Sequence, residues 1–212
     1  MIALVKSSAA KHAASKRERN KASNRTAILR AARSVFAEMG YGAASVRDII
    51  RRTELAAGTF YNYFRDKDQI FRAVVEELAG ELRQRHAAGR RQTTTANDFV
   101  EATFRDYFTF IAGDPELTAL ARRSTGAVRT LLDQPEIAPL FQDLLSDVQA
   151  AIGRGILPPM DAHYFATALA GIAFEVSISM VGREPIDPEG ATRFATQLVV
   201  GGLTGLPRPA RS

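Results

Sequence analysis

Ser45-Val46-Arg47-Asp48-Ile49-Ile50-Arg51-Arg52-Thr53-Glu54-Leu55-Ala56-Ala57-Gly58-Thr59-Phe60-Tyr61-Asn62-Tyr63-Phe64 is the stretch that decides how this chain folds. It contains two short helical patterns and a tight turn. Ser45 with Asp48 three residues on is a capping box, in which each side chain takes up a backbone N–H of the other's end. Val46, Ile49 and Ile50 then share one face of a helix ending near Arg52. Thr53-Glu54-Leu55 turns the chain into a second short helix, Ala56 to Tyr63, anchored by Leu55, Phe60 and Phe64. Helices this short are marginal alone, so they need a longer brace to pack on.

The brace lies just upstream. Ile28, Ala32, Val35, Phe36 and Met39 recur at spacings of three and four, with Asn24 as an N-cap and Gly40 as the stop. Downstream, Asp66-Lys67-Asp68-Gln69 caps a long helix with Ile70, Phe71, Val74, Val75, Leu78 and Leu82 on its inner side, fading through the polar residues 83–94. A long helix, a short helix, a turn and a second short helix make a helix-turn-helix, which sets the last helix into the major groove of DNA.

The rest of the chain also reads as helices, with no period-two strand. Thr95-Ala96-Asn97-Asp98 caps one that carries Phe99, Thr103, Phe104, Tyr107, Phe108 and Ile111 and stops at Gly113. Asp114-Pro115-Glu116 and Pro135-Glu136 begin two more, with proline placed where a helix start tolerates it. Asp161 opens a helix to Val181, and Asp187-Pro188 opens the last, which runs into Gly205. The expectation is an all-α protein of about nine helices: a basic, disordered arm over 1–23, a DNA-binding domain over 24–70, a helical domain over 71–206 and a frayed tail over 207–212.

Charge agrees with that division. Residues 1–72 hold 15 Lys and Arg against 6 Asp and Glu, a net of +9. Residues 73–212 hold 13 against 17, a net of −4. A basic module joined to a mildly acidic one suggests that the first part meets a polyanion. The arm residues Lys6, Lys11, Lys16, Arg17, Arg19 and Lys21 could follow phosphates or enter a minor groove.

With no cysteine there is neither a disulfide nor a thiolate metal site, which suits a reducing cytoplasm. Only three histidines occur, His12, His86 and His163, in unrelated segments. No phosphate-binding glycine loop follows a strand and no nucleophile elbow is present, so an enzyme, a metal and a cofactor are not expected. No apolar run is expected to span a membrane; the most apolar stretch, Phe165 to Val181, reads as a buried helix.

Residues 25–71 resemble the DNA-binding domain of the TetR family (TetR/AcrR-like). The resemblance is carried by Ile28-Leu29-Arg30-Ala31-Ala32, Phe36-Ala37-Glu38-Met39-Gly40-Tyr41, Ser45-Val46-Arg47-Asp48-Ile49, Gly58-Thr59-Phe60-Tyr61-Asn62-Tyr63-Phe64 and Asp66-Lys67. It implies a ligand-responsive transcriptional repressor that binds a pseudo-palindromic duplex operator as a homodimer. Under it, Arg25, Thr26, Ser45, Arg47 and Lys67 meet phosphates, and Thr59, Tyr61, Asn62 and Tyr63 project from the reading helix. Ala57 can touch a thymine methyl.

The resemblance pairs helices 161–181 and 188–205 with their copies, with Ala166, Ala170, Ala173, Ala195, Gly202 and Gly205 allowing close approach and Phe165, Leu169, Ile172, Leu198 and Val199 supplying apolar area. It also implies an effector pocket lined by Phe99, Thr103, Phe104, Tyr107, Phe108, Phe141, Leu145 and Phe174, suited to an apolar or amphipathic small molecule. Arg105, Arg122 and Arg123 are candidates for an anionic ligand end. The chain departs from the family at the turn, where Glu54 replaces the usual glycine and Ala56-Ala57 replace a hydroxyl and a polar residue. The alternative reading is a helical adaptor with a nonspecific basic arm.

Overall fold

The structure, a computed structural model, describes residues 2–89, 93–131, 134–135 and 137–205; side chains are described from residue 18 onward and, in the fourth helix, as far as residue 85. The described residues form ten helices and no strand: α1 (Ile2–Ala43), α2 (Val46–Arg52), α3 (Ala57–Tyr61), α4 (Lys67–Gly89), α5 (Ala96–Ala112), α6 (Pro115–Arg123), α7 (Thr125–Arg129), α8 (Ala138–Gly153), α9 (Ala162–Val181) and α10 (Pro188–Thr204). The all-α expectation holds. The additional helix is α7, a five-residue turn set off from α6 by Ser124, whose backbone leaves the helical region. Nothing in the hydrophobic period marks so short a break.

Residues 2–23, expected to lack structure, are helical and continuous with α1. Low apolarity removes a reason to pack, but it does not remove helix propensity. From Ile2 to Met39 the chain has no glycine or proline and is rich in Ala, Lys and Arg. Once residues 24–39 supply a nucleus, each upstream residue adds one hydrogen bond without a new nucleation cost. The contacts of Lys6, Lys11, Lys16 and Arg17 lie outside the described residues, as do Glu136 and the tail 207–212.

Local signals are realised as hydrogen bonds. The Ser45 Oγ accepts from the Asp48 N–H at 3.3 Å and the Ser45 N–H donates to the Asp48 carboxylate at 3.0 Å. That pairing, led by the Ser45 side-chain hydrogen bond, holds the Asp48 carboxyl below its ordinary pKa. Asp66 caps α4 by accepting from the Gln69 N–H at 2.7 Å, and Gln69 accepts in return from the Arg65 N–H at 2.8 Å. Asp114, Asp161 and Asp187 cap α6, α9 and α10.

The N-terminal domain closes on Ile28, Val35, Phe36, Ile49, Phe60, Phe64, Ile70 and Phe71, all buried. Phe36 meets Phe71 edge-on at 5.1 Å, and Tyr41 tilts on Phe71 at 4.7 Å. In the C-terminal domain α5 packs along α10, while α8, α9 and α10 pack in series. Helix α9, at 20 residues with a window of mean hydropathy 1.6, is long and apolar enough to cross a membrane, contrary to the expectation that no segment would be. It packs instead on α5, α6, α8 and α10, burying Ala166, Leu169, Ala173, Phe174, Met180 and Val181.

Helix α6 joins the domains. Arg33 of α1 reaches the α6 N-cap Asp114, with Glu81 at 3.6 Å and Glu116 at 3.7 Å. At the other end, Arg123 donates to the Glu38 carbonyl at 2.9 Å and the Tyr41 N–H donates to the Ser124 Oγ at 3.0 Å.

Candidate nucleic-acid interface and effector cavity

The turn between α2 and α3 manages without glycine. Among the described residues no non-glycine adopts a positive φ, so Glu54 bears no left-handed strain. Thr53 replaces the missing freedom with hydrogen bonds: its Oγ1 donates to the Ile50 carbonyl at 2.9 Å and accepts from the Leu55 N–H at 3.3 Å. Ala56, the N-cap of α3, makes no side-chain cap, and only its carbonyl is used, by the Thr59 N–H at 2.8 Å. The N-terminal N–H groups of α3 therefore lack the side-chain partner that a serine or threonine would supply.

None of the ten residues assigned to DNA is buried. Arg25, Thr26, Ser45, Arg47, Ala57, Tyr61 and Asn62 are exposed, and Thr59, Tyr63 and Lys67 are half-buried. Tyr61 stands out at 57% exposure, its ring held edge-on by the buried Phe60 at 5.4 Å. The Arg25 guanidinium lies 5.7 Å from the centre of the Phe64 ring, which places it beside the end of α3. Lys67 is tethered: its ammonium donates to the Tyr41 carbonyl at 2.8 Å and sits 4.4 Å from the centre of the Tyr41 ring. Burial, with the hydrogen bond to Asp68 second, pushes the Tyr41 phenol up to about 12.

A cavity of about 700 Å³ lies within the C-terminal domain. That falls inside the roughly 300–1,000 Å³ usual for small-molecule sites. Its wall is apolar: Val75, Leu78, Ala79 and Leu82 from α4, Leu117 and Leu120 from α6, and Leu140, Phe141 and Leu144 from α8 contribute, with α9 opposite. Of the eight residues proposed for a pocket, Thr103, Tyr107, Phe141 and Phe174 line it. Phe99, Phe104, Phe108 and Leu145 do not. The first three are fully buried in the core, where Phe104 and Phe108 stack at 5.9 Å. An aromatic stripe at helical spacing shows that a face is inward, and core and cavity are both inward.

The proposed basic residues are engaged elsewhere: Arg105 pairs with Glu101, Arg122 with Glu184 at 3.9 Å, and Arg123 with the Glu38 carbonyl. The cavity's guanidinium is Arg129, on the unanticipated α7.

The face proposed for pairing is also redistributed. Ala166, Leu169, Ala173 and Ala195 are buried within the chain's own core. What α9 and α10 turn outward includes Tyr164 at 76%, Phe194 at 59% and Leu198 at 54% exposure, with Ala168, Gly201 and Gly202 also exposed. A residue count along a helix identifies an apolar side, but these helices are apolar on both.

Fold and site define an all-helical protein in which a helix-turn-helix is carried on a domain with an internal apolar cavity. Residues 28–74 match the family described as bacterial regulatory proteins, tetR family, so the helix-turn-helix region is similar to that family's members. It is 30% identical over 95 residues to the fatty acid metabolism regulator protein of Bacillus subtilis, covering 45% of this chain and 49% of that one. It is 34% identical over 96 residues to the transcriptional repressor ComR of Escherichia coli, covering 45% and 44%. The chain thus spans about half the length of the curated relatives it matches.

Across the whole molecule the likeness is one of fold. The fatty acid degradation regulator FadR of Bacillus halodurans superposes with a TM-score of 0.71 at 21% identity, over 87% of this chain and 97% of that one. FadR of Bacillus subtilis in complex with stearoyl-CoA gives 0.69 at 23%, over 84% and 98%.

Proposed function

We propose that this chain is a homodimeric, sequence-specific DNA-binding transcriptional repressor, released from its operator by a small apolar or amphipathic molecule held in the cavity. The observation that carries this is a single helix. Lys67, at the start of α4, stands beside the helix-turn-helix, while Val75, Leu78, Ala79 and Leu82 of the same helix line the cavity. At about 1.5 Å per residue, roughly 12–22 Å of one helix separates Lys67 from these cavity-lining residues, so the helix ties effector to DNA. Helix α6 is a second tie, since Leu117 and Leu120 line the cavity and its ends hold α1 through Asp114 and Arg123. A ligand that fits one tilt of these helices better than another shifts the spacing of the two reading helices, and so the operator affinity. The stearoyl-CoA complex of the structurally similar FadR makes long acyl chains the first effectors to try.

The test is fluorescence anisotropy of the protein against labelled duplex from just upstream of its own gene, at several salt concentrations, beside a scrambled duplex. Preference for the upstream fragment by at least about a thousandfold is expected. Arg47→Ala should weaken both duplexes alike and reduce the salt slope by about one. Absence of binding even at low salt would refute the reading.

Dimerisation is assigned to the outward face of α9 and α10. Among the described residues, three of the five large exposed apolar side chains, Tyr164, Phe194 and Leu198, lie on these two helices. A half-site reader needs a second copy to span two successive major grooves. The double variant Phe194→Asp with Leu198→Glu is expected to sediment as a folded monomer and to lose operator binding by at least about a hundredfold. A variant that remains dimeric would place the interface elsewhere.

A further inference from the structure

The cavity is partly open to solvent, and its exposed lining residues differ from the rest of its wall. Its exposed lining residues are Arg129, Ala138, Gln142, His163, Thr167, Gly171 and Glu175. They come from the end of α7, the start of α8 and one stripe of α9, whereas the α4, α5 and α6 contributions are buried or half-buried. The mouth is therefore polar and the interior oily, which is the profile of a site for an amphiphile. Among the described lining residues, Arg129 is the one permanent cation.

Two contacts fix where that cation sits. Its guanidinium carbon lies 5.2 Å from the centre of the Phe174 ring, and Phe174 is itself a buried wall residue. Its Nη1 donates to the Glu175 carboxylate at 2.7 Å. These contacts differ in kind. The ring holds the guanidinium against the cavity edge by cation–π attraction, which does not consume its N–H donors. The ion pair joins two side chains that are 54% and 56% exposed, so it is weakly held and open to competition.

We infer that Arg129 docks the anionic end of an amphiphile whose apolar tail fills the cavity, and that Glu175 competes with that anion for the guanidinium. This rests on reading the cavity as the effector site. A carboxylate or phosphate entering at the mouth meets a planar fork of donors already oriented by Phe174, and can engage it through two hydrogen bonds where Glu175 offers a partner from the side. A cationic amphiphile finds the opposite. To reach Glu175 it must displace Arg129, which the Phe174 ring retains as a like charge beside it.

The anion has two chemical sources, a free long-chain carboxylate or the phosphates of its coenzyme A thioester, and the experiment separates them. The full-length protein is titrated with a neutral fluorescent apolar probe, N-phenyl-1-naphthylamine. The probe is then displaced with palmitate, methyl palmitate, palmitoyl-CoA and hexadecylamine. The wild type should hold at least one of the two anions about tenfold or more tighter than the ester. Arg129→Met should erase that preference and leave the ester unchanged, and Arg129→Lys should restore part of it. Glu175→Gln should tighten the preferred anion several-fold, an effect that a merely structural ion pair would not produce.

The inference is overturned if acid, thioester and ester bind alike, if the preference survives in Arg129→Met, or if the amine binds best. Both side chains are exposed, so the variants should melt with the wild type. The underlying reading has its own control in Ala170→Trp, which fills the cavity. If that variant folds and still binds every ligand as the wild type does, the cavity is not the site at all.

Discussion

The Phe60→Ala protein is expected to lose about 3–5 kcal/mol of stability in its N-terminal domain, and its hold on specific duplex DNA with it. Phe60 is 1% exposed and is the one buried residue of α3, a helix of five residues. Such a helix has almost no stability of its own and exists because one side chain is driven into the domain core. The ring meets Phe64 at 6.1 Å and supports Tyr61 edge-on, so truncation leaves a cavity and frees the side chain proposed to contact DNA.

Chemical denaturation followed by circular dichroism measures the first effect, and anisotropy the second. Tyr61→Ala is the control. At 57% exposure it should change stability by no more than about 0.5 kcal/mol while still weakening DNA binding. If Phe60→Ala unfolded at the wild-type denaturant concentration, α3 would be held by something other than this anchor.

Gly40→Ala is expected to cost about 2–4 kcal/mol, through two effects that act together. Gly40 has φ 75° and ψ 160°, a region that is essentially open to glycine only. A Cβ built there would lie 2.9 Å from the Arg123 carbonyl oxygen, which is backbone and cannot swing aside. The neighbouring Tyr41–Ser124 and Arg123–Glu38 hydrogen bonds belong to the same junction between the domains. The substitution should therefore also raise amide exchange in residues 38–44 and 120–125. Gly42→Ala, two residues on, is the comparison: a Cβ there meets nothing within 4 Å and the backbone is helical, so it should be neutral or slightly stabilising. Equal melting of the two variants would show that the junction relaxes around a side chain.

The pairing of these two glycines illustrates how far the sequence reaches. That the helical path of α1 breaks at Gly40, ahead of the helix's last residues to Ala43, follows from the glycine's place after the last apolar residue of the stripe. That it must remain glycine because α6 lies against it depends on a residue 83 positions away. The helix starts are readable for the same reason as the stop. Ser45 with Asp48, Asp66 with Gln69, and Thr95 with Asp98 are bonds within four residues, and neighbours in sequence are neighbours in space whatever the rest of the chain does. The helix-turn-helix is nearly all of this local kind, and so its presence and most of its outward residues follow from the order of the amino acids alone.

The cavity is of the other kind. Phe99, Phe104 and Phe108 are aromatic and inward-facing like Tyr107, which lines it, yet they close the core instead. Whether an inward aromatic meets a packed neighbour or open space depends on the distance between helices that are far apart in the chain. Arg129 is hidden from a sequence reading for a further reason, since it lies on a five-residue helix with no buried residue and becomes part of a wall only where α7 approaches Phe174 and Glu175 of α9. Most helix starts, their caps, the basic N-terminal module and the helix-turn-helix are legible in the order of residues, because those depend on contacts within a turn or two; α7 and the helical residues 2–23 are not. Tertiary structure alone decided which apolar faces became core, cavity or exposed surface, because each of those is a relation between two helices, and the pattern of one helix does not contain the position of the other.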